Sequence, residues 1–296
     1  MRAALVALAM LCGLAAAGCG GAQKTTTTVS AKRTLAPPPP PGLRVGVVGD
    51  LKVRPVPGAS IEPVRGPLAT MPGYPLVLVS AQAADLAAVD AAAARYPTSH
   101  YAYVGGSTKG HHRPNLVGLV LNDEQAAQLG GVVAGLVAAD QGGMNARVAW
   151  VGPQERALAA AFARGAQEVQ PGMTVLRAWS GAPPSSCKEA ALGSIVRGAV
   201  VVMAHGGLCA EAATAGAHQQ NHVGLQLSDF ELPSVPAGVL IGDAVAGVFR
   251  GGEDIVFGAS TGAIGIRHLD PAISPDIAVR ARAAAQQLAS GLPPAG

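Results

Sequence analysis

Residues 116–140 read LVGLVLNDEQAAQLGGVVAGLVAAD, and the change of pattern inside them decides the fold class. Leu116 to Leu121 is an apolar run of the kind a strand covered on both faces requires. Asn122 or Asp123 then offers a helix cap. Asp123 and Glu124 put negative charge in the positive first turn, and the helix runs to about Ala139. A strand that passes straight into a helix is half of a parallel strand–helix–strand unit.

The unit repeats in both directions. Upstream, Arg44 to Gly49, the weaker Ser60 to Val64, Pro75 to Ser80 and Tyr101 to Val104 read as strands. Ala81 to Arg95 reads as a helix, with Leu86, Val89 and Ala93 on one stripe and Pro97 ending it. Downstream, strands are expected at Arg147 to Val151, Val175 to Trp179, Ala199 to Met203 and His222 to Leu227. Helices are expected at Gln154 to Val169, Lys188 to Arg197 and Cys209 to Ala217. Further on, the pattern predicts a short strand at Val239 to Ile241, a short helix to about Phe249 and a strand pair around Ile255 to Ile266. Ser274-Pro275-Asp276 opens a last helix, which Gly291 stops. This alternation predicts an α/β protein of two doubly wound parallel-sheet lobes, joined by right-handed crossovers. Ligands of such sheets bind where the strands' carboxyl ends meet.

Before the first strand the chain has another character. Arg2 and the apolar run Ala3 to Leu14 form a segment too short to span a bilayer, which takes about 20 residues. It closes on Ala15-Ala16-Ala17-Gly18-Cys19, which resembles a bacterial lipobox with Cys19 as the lipidated residue. An ordinary secretory signal cut at the same place is the alternative. Both readings put the protein outside the cytoplasm; lipidation would anchor it on the outer face of the cell membrane. Residues 19–42, with Thr25 to Thr28 and Pro37 to Pro41, read as a tether too polar and proline-rich to build a core.

Composition narrows the function. Hydrophobic residues make up 49% of the chain and aromatics only 3%, so aliphatic side chains must do the packing. The formal charge of +3 is small and its basic residues are scattered, which argues against nucleic acid as a partner. Cys12 leaves with the signal and Cys19 takes lipid, so Cys187 and Cys209 remain. They start consecutive helices on the expected ligand edge, where an oxidising compartment favours a disulfide. Two buried free thiols are the alternative.

The stretch Asn122 to Ala138 resembles the helix opening the C-terminal lobe of the basic membrane protein (BMP)/PnrA-like solute-binding lipoproteins. Val148-Ala149-Trp150-Val151-Gly152, Phe162 to Ala166, Val200 to Val202 with Gly206-Gly207, Pro75 to Pro97, and Ile273 to Ile277 with Ser290-Gly291 resemble further elements of that family. The resemblance implies a type I periplasmic-binding-protein fold with three crossing segments. It also implies a ligand between the lobes, in that family often a purine nucleoside, and delivery to the permease of an ABC importer. The lobes would cover 43–121 plus about 242–258, and 122–241 plus about 259–292, after a signal peptide at 1–18.

The chain departs from the family where ligands are held. No Ser-Phe-Asn segment or long helix follows the first strand, so the N-terminal lobe is shortened; Asp50 is followed by Leu51 to Gly58 instead. Gly105 stands where an Asp is usual, and Gln226 replaces the first of two aspartates. Asp229 stands one residue late for the second, and no Lys follows Ile241-Gly242. The candidate ligand contacts are Asp50, Ser80, Trp179, Gly206, Gly207, Gln226 and Asp229. Trp179 either stacks on a ring or packs, Gly206-Gly207 either approaches a ligand or makes a tight turn, and Asp229 either binds hydroxyls or caps a turn.

Catalysis and metal chemistry find little support. Gly258-Ala259-Ser260-Thr261-Gly262 spells a nucleophile elbow, but His268 precedes Asp270 and no helix follows. His100, His111 and His112 lack metal-site spacing, so neither a metal nor a cofactor is expected. The sequence therefore predicts a non-enzymatic, membrane-anchored solute-binding protein. A scaffold that has lost its pocket and serves as a sensor or interaction module is the alternative.

Overall fold

The structure, a computed structural model, describes residues 42–68 and 73–291, without the side chain of Met144. All of them belong to the unit Pro41–Gly296. The signal segment, Cys19 and all of the tether before Gly42 lie outside the described residues. No helix among the described residues is long and apolar enough to cross a membrane.

The chain begins with β1 (Leu43–Val48), β2 (Ala59–Pro63), β3 (Leu76–Ser80), α1 (Leu86–Arg95), β4 (His100–Val104) and β5 (Leu116–Leu121). It continues through α2 (Asp123–Gly142), β6 (Arg147–Gly152), α3 (Arg156–Val169), β7 (Thr174–Trp179), α4 (Pro184–Val196), β8 (Ala199–Ala204), α5 (Leu208–Gln219) and β9 (Val223–Gln226). The last elements are α6 (Ser234–Val245), β10 (Asp254–Phe257) and α7 (Pro275–Ser290). One six-stranded sheet has the order β10-β5-β4-β3-β1-β2, and a four-stranded sheet has the order β7-β6-β8-β9. Every paired strand is parallel.

Alternation along the strands sorts side chains between two helical layers. Val45, Val47, Leu76, Leu78, Ala102 and Val104 share a core with Ala237, Leu240 and Ile241 of α6. Val77, Val79, Tyr101 and Tyr103 point the other way, onto Val89, Ala92 and Ala93 of α1. In the smaller sheet, Val148, Trp150, Val201 and Met203 pack with α2 and α3, whereas Ala149, Val151, Val202 and Ala204 pack with α4 and α5. Period-2 strands covered on both faces produce near-continuous apolar runs, and such runs are what the sequence carries.

Chain crossings between the sheets follow β5, β9 and β10. Leu121 and Phe257 lie in register on neighbouring strands, so the first and third crossings start side by side. The Asn122 amide donates to the Phe257 carbonyl at 2.9 Å, and Gln125 Oε1 accepts from the Ala259 amide at 2.8 Å. Since α6 packs on the first sheet, residues 227–233 make the second crossing, ahead of the boundary near residue 241 read from the sequence.

Three local expectations are corrected. Val239 to Ile241 is not a strand but the middle of α6, where Ala237, Leu240 and Ile241 bury one helical stripe. A three-residue apolar run fits either element, and Pro236 in the first turn suits the helix. The strand pair near 255–266 is a single strand, β10, followed by a 3-10 turn over Ala259–Thr261 and an isolated antiparallel bridge between Glu231 and Ile264. Helix α1 starts at Leu86, not near Ala81, because Asp85 caps it by accepting from the Ala88 amide at 2.8 Å. Between β1 and β2 the chain has a loop and no helix.

Candidate functional site

The carboxyl ends of β1, β3, β4, β5, β8 and β9 border one cleft. One part of it, about 560 Å³, is lined by Gln82 from the first sheet and by His205, Gly206, Gly207, Leu208, Gln226 and Ser228 from the second. A contiguous part of about 250 Å³ adds Asp50, Ser80, Gly105 and Asp123. Glu231 and Arg267, from the second and third crossings, line both. The cleft therefore takes residues from both sheets and from the segments that join them.

Local structure explains how several of these are held. Gly206 and Gly207 carry φ values of 105° and 53°, which let the backbone turn from β8 into α5 without a side chain at the lip. A Cβ on Gly206 would meet the Pro153 ring at 3.2 Å. Leu208 begins α5 with 69% of its surface exposed, an apolar group standing in the wall. His205 sits 3.4 Å from Glu155 at the same end of the sheet.

Two carboxyls in the wall are held in an unusual protonation balance. Burial, with Asp123 adding repulsion, pushes Glu231 up to about 7 against the pull of Arg267. Burial also raises Asp123; His205 works against this and Glu155 with it. Among the described residues neither side chain has a hydrogen-bond or ion-pair partner. Partly buried acids without partners cost solvation free energy, and donors brought by a ligand would recover it.

The residues read from the sequence divide into two sets. Asp50, Ser80, Gly206, Gly207 and Gln226 all line the cleft. Gln226 is half committed elsewhere: its side chain caps the turn Leu227–Phe230 by accepting from the Asp229 backbone, and its amide group donates to Thr214 Oγ1 at 3.2 Å. Asp229 returns the cap by accepting from the Gln226 amide at 2.8 Å, and it stands 3.7 Å from His268. It is a turn cap and not a lining residue. Trp179 ends the edge strand β7, 40% exposed, and is no part of these walls. Cys187 and Cys209 are joined in a disulfide that ties α4 to α5.

Sequence reading missed Gln82, Asp123, His205, Glu231 and Arg267. Asp123, His205 and Gln82 immediately follow strands or their turns, a usable signal. Glu231 and Arg267 lie on crossings with no periodic pattern, so nothing local marked them. Elsewhere, His111 lies 3.3 Å from Asp90, His112 lies 3.3 Å from the Gly252 carbonyl, and His100 stacks on Phe249 at 4.1 Å. No group of three metal-ligating side chains occurs among the described residues. Ser260 is an exposed residue of a 3-10 turn, and His268 neighbours Asp229.

No protein-family model matches the chain, and no curated protein matches it. Solved structures do. The chain is similar to an ABC transporter system solute-binding protein from Aeropyrum pernix K1, at 16% identity and TM-score 0.54, covering 86% of this chain and 94% of that one. A second, from Conexibacter woesei DSM 14684, gives 20% identity and TM-score 0.56, covering 84% and 96%. A transcriptional activator of the comK gene from Bacillus halodurans gives 13% identity and TM-score 0.61, covering 86% and 100%. At such identities the likeness is one of fold: α/β, with parallel strands in two sheets, in the type I periplasmic-binding-protein arrangement.

Proposed function

We propose that the protein is a solute-binding protein whose ligand sits in the cleft between the two sheets. The observation that carries this reading is the composition of the wall. Asp50, Ser80 and Gln82 from one sheet face a space shared with His205, Gln226 and Ser228 from the other, and Glu231 and Arg267 come from the crossings. A ligand that touches both sides favours the closed arrangement by its differential affinity, which is how such clefts couple binding to shape. Chemistry has no part in this role, and the protein acts by delivering its ligand to the permease of an ABC importer. The lipobox-like end at Cys19 and the tether fit work at the membrane surface, outside the cytoplasm.

The ligand is small and polar. A purine nucleoside, which the family resemblance implies, would want a large aromatic face, and no Phe, Tyr or Trp lines the cleft among the described residues. Membership of the BMP/PnrA-like family is part of the proposal and rests on the sequence resemblance. One observation favours the scaffold alternative, in which the protein is a sensor or interaction module without a ligand: Gln226 spends its side chain on a local cap and on Thr214.

A thermal-shift screen of sugars, polyols, amino acids, organic acids and nucleosides separates the two. A solute-binding protein gains stability with one class, by about 2.7 kcal/mol at a hundredfold excess over Kd. It should also become more compact in small-angle X-ray scattering. Stability unchanged by every class would leave the scaffold reading standing alone.

A further inference from the structure

Beyond Asp50 and Arg267 the cleft continues into a hollow of about 440 Å³ between the loop after β1 and the first turn of α6. Its charged lining is unbalanced, with Lys52, Arg54 and Arg267 set against Asp50. Among the described residues none of these three cations makes a side-chain hydrogen bond or close ion pair, although Arg267 feels the charge of Glu231 and Asp229. Other arginines of the protein do: Arg44 pairs with Glu62 at 3.0 Å, Arg113 pairs with Asp90, and Arg164 lies 3.9 Å from Glu124.

The backbone adds to the same sign. The N-terminus of α6 receives no side-chain cap from Pro233, and its first turn holds no acidic residue. No acidic residue of its own first turn offsets the positive end of this twelve-residue helix, and Ser234, which lines the hollow, brings a hydroxyl donor. Pro55 follows Arg54 in the lining and restricts the loop that presents the cations. Arg267 is held by the nearby carboxyls of Glu231 and Asp229, but Lys52 and Arg54 gain nothing from being brought beside another cation, so the protein's own stability gives no reason for their place in this concavity. At the inner end of the cleft the lining offers carboxyl groups instead, those of Asp123 and Glu231.

We propose that the hollow formed by Lys52, Arg54, Arg267 and the start of α6 is a subsite for an anionic group of the solute, a carboxylate or a phosphate. Hydroxyl or amine donors of the same solute then lie toward Asp123 and Glu231. This rests on the reading of the cleft as a solute site and adds a ligand class: small anionic molecules that also carry donors.

Calorimetric titration and thermal shift on the full chain, at constant ionic strength, test it with glycerate, glycerol 3-phosphate, inorganic phosphate and uncharged glycerol. Glycerate or glycerol 3-phosphate should bind, and glycerol should not; which of the two binds tells carboxylate from phosphate. The Lys52→Ala/Arg54→Ala variant should weaken that binding about tenfold or more, and Arg267→Gln should do so separately. Arg282→Ala, an exposed arginine of α7, should change nothing. Circular dichroism and the melting curve of each variant check that it folds. Binding of uncharged solutes without either anion would overturn the subsite and leave the cleft reading intact. Anion affinity unchanged in both variants would overturn it as unspecific attraction, and no binding of any solute would remove both readings together. Anion binding without compaction would keep the subsite and remove the closing cleft.

Discussion

Gln125 and Ala259 are joined across two chain crossings: the side-chain oxygen of Gln125, in the first turn of α2, accepts from the Ala259 amide at 2.8 Å. The bond passes over Gly258, where an added Cβ would stand 2.5 Å from the same oxygen. Gln125→Ala should cost about 1–3 kcal/mol in chemical denaturation, because a partly buried amide loses its acceptor. Gly258→Ala should displace the Gln125 side chain and lose the same bond. The double variant should therefore be less destabilised than the sum of the two. Simple additivity would show that the bond does not couple these crossings.

Helices α2 and α3 touch through glycine. A Cβ on Gly131 would overlap the Phe162 carbonyl oxygen, and one on Gly165 would overlap the Gln128 carbonyl oxygen. Both obstacles are backbone, so the helices must part to admit a methyl group. Gly131→Ala and Gly165→Ala should each cost about 1–3 kcal/mol or more. Gly193 of α4 is exposed with nothing near its Cβ position, and Gly193→Ala should stabilise by about 0.5–1 kcal/mol. Urea melts of the three variants give the comparison.

Two carboxyls should shape the pH dependence in opposite senses. Glu231 is raised to about 7 from an ordinary 4.5, so the folded protein holds its proton where the unfolded chain has released it. Stability should then fall as pH rises from about 4.5 to 7 and level off above, by up to about 3 kcal/mol. Glu231→Gln should flatten that decline. Asp270 behaves conversely: burial pushes it up, but hydrogen bonds from the Ala272 and Gly224 amides, each 2.9 Å, and from His218 at 2.8 Å hold it below its usual value. Its contribution is present above the unfolded carboxylate range and is lost as pH falls through the folded value. Asp270→Asn should weaken the acid limb of a melting-temperature profile. An unchanged profile in either variant would discard its assignment.

The disulfide between Cys187 and Cys209 closes a loop of sequence separation 22. Restricting the unfolded chain over that length is worth about 3 kcal/mol. Both residues are buried between α4, α5 and the sheet, so Cys187→Ala/Cys209→Ala should lose this contribution and some packing. Melting with and without a reductant should separate the wild type but leave the double variant unmoved.

The fold was legible where patterns were long. The run 116–121 followed by capped 123–142 could be read directly because burial on both faces leaves no polar position in the strand, and capping chemistry is local. The middle of α6 was misread because three apolar residues carry no period. The cleft was legible only at strand ends, as with Asp50, Ser80 and Gly206. Trp179 was also at a strand end, but its strand lies at the far edge of the smaller sheet.

By itself the sequence determined the α/β alternation, the helix caps, and the pair of cysteines that could meet. These depend on interactions within a few residues, whose periods and side-chain types are written along the chain. Tertiary structure alone decided that Glu231 and Arg267 stand with Asp50 and Asp123 in one wall. Chain crossings bring those groups together over long separations, and how far water is excluded once they meet sets which proton stays and which charge remains unpaired.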